Sequence, residues 1–532
     1  MIATFWLHND AFIADGMEAR NLTTAREMLE KGNWFDPTMN GQYRFEKPPL
    51  PTWATALAMA LVGQDDMSIL RLPATVSGML LVFFLFRLTQ ELTEDAWLPY
   101  LAAGTAATSF LIMSSARIIS WDIFCHSFMM GAIWQLHKGL KPNSPGLQHF
   151  VFSGLLMGLS FLSKGPIAFF VLLLPYLIAR FFAVGGYDLN RNGKPLLLMT
   201  GITLVLSLAW PLYLYLKYPD VSQYVAHKES GAWVNRHSKA FYYYWSFPVQ
   251  SGLWAILALA SLIAPYARKR IEEFGNYKFL LIWILASVLL MSLFPEKKSR
   301  YLLPVMLPLT LLTAFYVRYL IQAYQESRFT QADHIIFTSN NIIIALASLA
   351  APFLLWKSMG KNGFEVSTSF KILSLLTFAG MSFVLGYFTY YKKPLSAWLS
   401  VVTGIGLACG LLLPEAPKLV IHNPHYRPYE ELRHLDHFEQ MPFYASGDLT
   451  GKFIEVVWGA GHEIQAWDPK TATLPTHPPL VFFSKEHPND SLPPSILAQY
   501  SVKVIGVFDS SFRKGVYPIL RNHVAVIQDK NH

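Results

Sequence analysis

The chain is 532 residues long, 53% hydrophobic and only 15% charged, with a formal charge of +8. A soluble chain of this length carries nearer a quarter charged residues, so the composition excludes an ordinary soluble enzyme and reads as a polytopic membrane protein. The basic residues are scattered between apolar runs, which argues against nucleic acid, and Cys125 and Cys409, both inside apolar stretches, give neither a disulfide framework nor a thiolate metal site.

In chain order, the opening MIATFWLHNDAF is too short and interrupted to make a span of about 20 residues, which points to a truncated first span or a start further upstream. The polar stretch from Asp15 to Pro49 follows. Leu22, Ala25, Met28 and Leu29 share one helical face within it, predicting an amphipathic helix along the membrane surface. Glu46-Lys47-Pro48-Pro49 stops the chain and restarts it, because proline removes a backbone donor and pushes the preceding residue out of helical geometry. Residues 50–62 are apolar but too short to cross unless tilted. Spans are predicted at 68–88, 97–117, 119–138, 149–163, 166–183, 196–216, 247–266, 278–294, 301–322, 335–356, 370–390 and 395–413. The fold class is therefore an all-α polytopic membrane protein of about 12–13 spans.

Short basic loops of one parity (Arg268-Lys269-Arg270 with Lys278, Arg180 with Arg191 and Lys194, Lys138 with Lys141, Lys392-Lys393) are cytoplasmic by the positive-inside rule. The opposite, outer face collects 13–49, Asp122, the turn at Lys164, the loop 217–246 and the turn 295–301. After Pro414 the apolar runs shorten to strand length (KLVIH, FIEVVWG, PLVFFS, VKVIGVF, HVAVI), predicting a small soluble α/β domain over 414–532, also outside, behind a catalytic membrane domain over 1–413.

The ordered set E-A-R, A-R-E-M-L, G-N-W, N-G and F-E-K-P-P resembles the start of the polyprenyl-phosphate-sugar-dependent glycosyltransferases, which include lipid A aminoarabinose transferases and, more distantly, protein O-mannosyltransferases. The resemblance covers roughly residues 15–320 and implies the GT-C fold. It also implies a sugar moved with inversion from a polyprenyl phosphate to lipid A, another glycolipid or glycan, or a protein, at the periplasmic face of a bacterial inner membrane. Such a transfer needs a carboxylate to take the acceptor's proton and cations to hold the departing phosphate.

In the family an adjacent Asp-Glu precedes the Arg; here Glu18 falls on the Glu and Arg20 on the Arg, but Met17 stands where the acid is expected. Asp15 and Glu18 are the two candidates for the base, with helix N-capping the competing role for Asp15. Asp122 resembles the family's second acidic residue, and its neighbour His126, one turn deeper, is left unassigned. Lys47, Lys164 in S-K-G-P, and Lys297, Lys298 and Arg300 before Tyr301 are the phosphate and donor partners, with Arg20; three cations on an outer face run against the positive-inside rule. The alternative for Lys164 is snorkelling to lipid headgroups. The resemblance also implies a divalent metal such as zinc between the Glu of E-K-P-P and a loop histidine, Glu46 and His227 here; two ligands are an incomplete zinc site. No other cofactor is expected.

The competing functional class is a lipid or sugar carrier such as a flippase, but carriers place polar groups near the midplane, whereas here the acids gather at one boundary. An oligosaccharide-transferring enzyme or polymerase differs only in donor size.

Overall fold

The computed structural model describes residues 1–530 apart from 143–145, 187, 236–237, 436 and 472. Through residue 415 it is a helical bundle. Seven of its helices are long and apolar enough to cross a membrane: Leu72–Leu92, Asn190–Lys217, Phe241–Leu262, Ser299–Gln325, Gln331–Lys361, Thr368–Tyr390 and Pro394–Glu415. Between them lie shorter or more polar helices, among them Trp121–Gly139, Gln148–Lys164 and Tyr277–Leu293. The predicted span 97–117 is broken into Leu98–Ala107 and Phe110–Ala116. The chain is thus a multi-pass membrane protein. Ser299–Gln325 runs through its middle, with 94% of its most apolar stretch buried inside the protein, and the other helices pack around it.

The helix Gly16–Lys31 forms where the periodicity places it, but its surroundings differ from the expectation. Asp15 caps it by accepting from the backbone N–H groups of Met17 (2.9 Å) and Glu18 (3.0 Å), and Gly32 ends it at φ 68°, a conformation that glycine adopts without steric cost. Ala19, Leu22, Ala25 and Met28 share one hydrophobic core with the helix Leu50–Val62 and with residues beyond 429, so this face meets protein rather than lipid. Beside it, β1 (Thr38–Met39) and β2 (Gln42–Tyr43) form a small hairpin tied to the buried Glu27 carboxylate.

The C-terminal part holds a five-stranded mixed sheet built from β3 (Phe443–Ala445), β4 (Ile464–Ala466), β5 (Leu480–Ser484), β6 (Tyr500–Asp509) and β7 (Arg521–Asp529), in the order β4-β3-β5-β7-β6. β3 lies parallel to β4 and β5, whereas β7 is antiparallel to β5 and β6. Two of the predicted strands are helical instead. The run from Phe453 leads into the helix Ile454–Ala460, closed by Gly461 at φ 78°, and Pro417–Val420 is a single turn. Periodicity cannot separate a short, fully apolar run in a strand from one in a buried helix. The sheet part docks on the opening helix through Asn40, which exchanges hydrogen bonds with Ile464 (Nδ2 to the carbonyl, 2.9 Å; backbone N–H to Oδ1, 2.8 Å), and through the Lys31–Glu463 ion pair at 2.7 Å.

Candidate active site

A cavity of about 630 Å³ opens at one end of the bundle, where turns from several elements converge. The E-K-P-P turn forms one wall and Asp122 with His126 another. The Lys164-Gly165-Pro166 turn, the end of Leu189–Lys217, the helix Pro219–Asn235 and the stretch from Met291 to Tyr301 close the rest. Distant parts of the sequence thus meet at one point, and each is placed there by a local rule. Pro48 and Pro49 break the chain after Lys47, Asp122 stands in the first turn of Trp121–Gly139, and Lys164 ends its own helix before Gly165 at φ 74°.

The charges in the cavity are paired across elements. Lys164 donates to Asp122 Oδ1, Lys47 to Glu229 at 2.9 Å and Lys228 to Glu46 at 2.9 Å. The sequence Glu46-Lys47 therefore meets Lys228-Glu229 with opposite charges in register, clasping the helix Pro219–Asn235 to the E-K-P-P turn. Burial, with Lys164 and Arg44 close by, holds the Lys47 ammonium below its ordinary range, against the opposing pull of Glu229. Burial alone raises the Glu46 carboxyl, but the hydrogen bonds from Lys228 and from its own backbone outweigh it and keep the group below the usual value. Arg44, fully desolvated and pushed down to about 10, donates to the Arg20 carbonyl and Thr24 Oγ1 (both 2.8 Å) and lies over the Trp121 ring at 5.1 Å, fixing the turn against the helix that carries Asp122.

Tyr301 lies beneath three cations: Lys164 at 4.8 Å, Lys298 at 5.7 Å and Arg300 at 5.7 Å from its ring. Each is within cation–π reach. Arg300 Nε is buried and has no hydrogen-bond partner among the described residues, and its charge reaches Asp122.

Of the expected site residues, the structure brings Lys47, Lys164, Asp122, Tyr301 and Glu46 to the cavity wall. The others do not line it. Glu18 does not line this cavity: its carboxylate takes a bidentate pair from Arg71 (2.8 and 2.6 Å) and the backbone N–H of Ile119 (2.8 Å), at 1% exposure. Asp15 is an exposed cap, and Arg20 is exposed with its carbonyl engaged by Arg44. Neither candidate in the opening stretch lines this cavity. Lys297 turns inward to the carbonyls of Lys239 (3.3 Å) and Phe294, anchoring the turn, and Lys298 pairs with Glu296 at 3.2 Å.

At the expected metal pair, Glu46 is held by Lys228 and His227 is exposed, and among the described residues no three potential ligands gather. Fewer than three protein ligands do not make a zinc site. His237, at the downstream end of the loop, lies outside the described residues. Sequence reasoning missed Glu229, Glu296 and His126 as cavity residues. The one available signal was the mirrored order of Glu46-Lys47 and Lys228-Glu229.

Comparison with known proteins agrees with this architecture. Residues 46–215 match the family described as dolichyl-phosphate-mannose-protein mannosyltransferase. The undecaprenyl phosphate-alpha-4-amino-4-deoxy-L-arabinose arabinosyl transferase 2 of Pseudomonas fluorescens is 25% identical over 441 residues, covering 81% of this chain and 73% of the relative. The corresponding transferase of Edwardsiella ictaluri is 26% identical over 418 residues, covering 75% and 72%. The crystal structure of ArnT from Cupriavidus metallidurans bound to undecaprenyl phosphate superimposes with a TM-score of 0.66 at 16% identity, over 98% of this chain and 95% of that one. In fold the chain matches the GT-C glycosyltransferase ArnT, and in sequence it is similar to the undecaprenyl-phosphate aminoarabinose transferases and, over residues 46–215, to the mannosyltransferase family.

Proposed function

We propose that the protein transfers one sugar from a polyprenyl-phosphate donor to an acceptor hydroxyl at the outer face of a bacterial inner membrane. The observation that carries this reading is the meeting of Lys47, Lys164 and Asp122, from three separate elements, in one cavity at one end of the bundle. The fold match includes a relative with undecaprenyl phosphate bound, and the curated relatives act on an undecaprenyl-phosphate sugar.

The paired charges supply a mechanism. The donor phosphate takes Lys47 and Lys164 in exchange for their resident carboxylates, Glu229 and Asp122. Arg300, with a buried nitrogen still to be satisfied, adds a third cation. Asp122 is freed as the lysine turns to the phosphate, and no described residue hydrogen-bonds its Oδ2. The acceptor oxygen attacks the anomeric carbon while its proton passes to Asp122. The bond from that carbon to the phosphate oxygen breaks, and its electron pair leaves with the phosphate. The lysines offset the added charge, so no acid is needed at the leaving group. A single displacement inverts the anomeric configuration.

The sugar is aminoarabinose, mannose or a similar monosaccharide, and the acceptor is lipid A, another glycolipid or glycan, or a protein. Mass spectrometry of lipid A and total glycolipids from a deletion strain against a complemented one tests this. A sugar-sized mass difference restored by complementation supports it, and identical profiles count against it.

A further inference from the structure

We infer that His126 is a positioning residue for Asp122, taking over its carboxylate when Lys164 leaves for the donor phosphate. This rests on the role given to Asp122 above. His126 lines the same cavity one helical turn beyond Asp122, and its Nε2 stands 4.0 Å from Asp122 Oδ1. The residue is 2% exposed, and its Nδ1 is buried without a hydrogen-bond partner among the described residues.

These facts constrain the imidazole. The imidazolium form carries a proton on both nitrogens, and one N–H at Nδ1 would be buried without an acceptor, at a cost that protein interiors avoid. The neutral tautomer with its proton on Nε2 leaves only a bare lone pair at Nδ1 and aims a donor at Asp122. The same oxygen, Oδ1, is occupied by Lys164 before substrate arrives. The imidazole therefore waits at 4.0 Å, about 1 Å beyond hydrogen-bond length. Once Lys164 turns to the phosphate, a small rotation closes that gap, and Oδ1 stays hydrogen-bonded by a neutral donor. Oδ2 then remains directed at the acceptor hydroxyl. His126 keeps its proton throughout: the acceptor's proton goes to Asp122, and the imidazole neither gains nor loses charge. A neutral donor is suited to this task, since an imidazolium beside the carboxylate would weaken it as a base.

The test uses the purified full chain with a polyprenyl-phosphate sugar that the wild type accepts. His126→Phe should lower kcat roughly tenfold to a hundredfold, as expected for a misplaced catalytic group, with the donor KM little changed. His126→Gln, which keeps a neutral N–H donor, should recover much of that loss. In an Asp122→Asn background His126→Phe should add no further loss, because it acts only through that carboxylate. If the Phe variant fails to fold, His126→Leu against His126→Gln gives the same contrast. A kcat unchanged in His126→Phe, or an equal loss with and without Asp122, overturns the proposal while leaving glycosyl transfer intact. A wild type idle with every polyprenyl-phosphate sugar overturns the parent reading and this one with it.

Discussion

A buried carboxylate can serve chemistry or hold the fold, and the partners decide which. Glu18 is matched by the Arg71 guanidinium at 2.6–2.8 Å with both groups nearly inaccessible, so removing one partner leaves an uncompensated buried charge, costing about 3–5 kcal/mol. Glu18→Ala should therefore lower the melting temperature strongly and leave turnover per folded molecule near normal. Asp15→Ala loses a cap worth about 1 kcal/mol and should be kinetically silent. A hundredfold fall in kcat for either folded variant would return the base to the opening stretch. Asp122→Asn, by contrast, should cut kcat by about a hundredfold to ten-thousandfold, the usual contribution of a placed general base. Lys47→Ala and Lys164→Ala each forfeit a charge-assisted bond to phosphate, worth roughly 1.5–3 kcal/mol, and should weaken donor use about tenfold to a hundredfold in steady-state kinetics.

Among the elements, the helix Pro219–Asn235 depends on the clasp. Much of it is exposed, and Glu46–Lys228 and Lys47–Glu229 tie it to the E-K-P-P turn. Lys228→Glu should loosen it, seen as faster hydrogen exchange across 219–231, and the exchange Glu46→Lys with Lys228→Glu should restore protection. Protection unchanged in Lys228→Glu would remove the clasp from the account. A second element-level effect follows from Glu455, which approaches the N-terminus of Gly16–Lys31 close to Asp15. Burial raises its carboxyl above the ordinary 4.5, with Lys452 opposing. A raised carboxyl favours the fold in its protonated form, so this contribution is complete below the unfolded value and is lost as pH rises through the folded one. Thermal melts of Glu455→Gln should lose less stability than wild type between pH 4 and 7, and parallel curves would exclude this role.

The cavity with its paired charges opens at one end of the bundle, and the basic-loop parity predicts that this end faces outward. An impermeant thiol reagent in intact cells should label a cysteine at Ser238 and leave one at Asn276 untouched, in a background without Cys125 and Cys409; the reverse pattern would invert the topology. The sequence by itself determined the membrane class, the face on which the acids and lysines gather, and the presence of Lys47, Lys164 and Asp122 at that face. Composition, loop charge and proline breaks are local properties that survive without coordinates. Only the tertiary structure showed what surrounds each carboxylate. Glu18 and Asp122 read alike in one dimension, but Arg71, 53 positions beyond Glu18, binds the first, while the cavity wall presents the second. It likewise decided that the apolar face of Gly16–Lys31 meets a sheet domain more than 400 residues away rather than lipid, because periodicity reports that a face is buried and not what buries it.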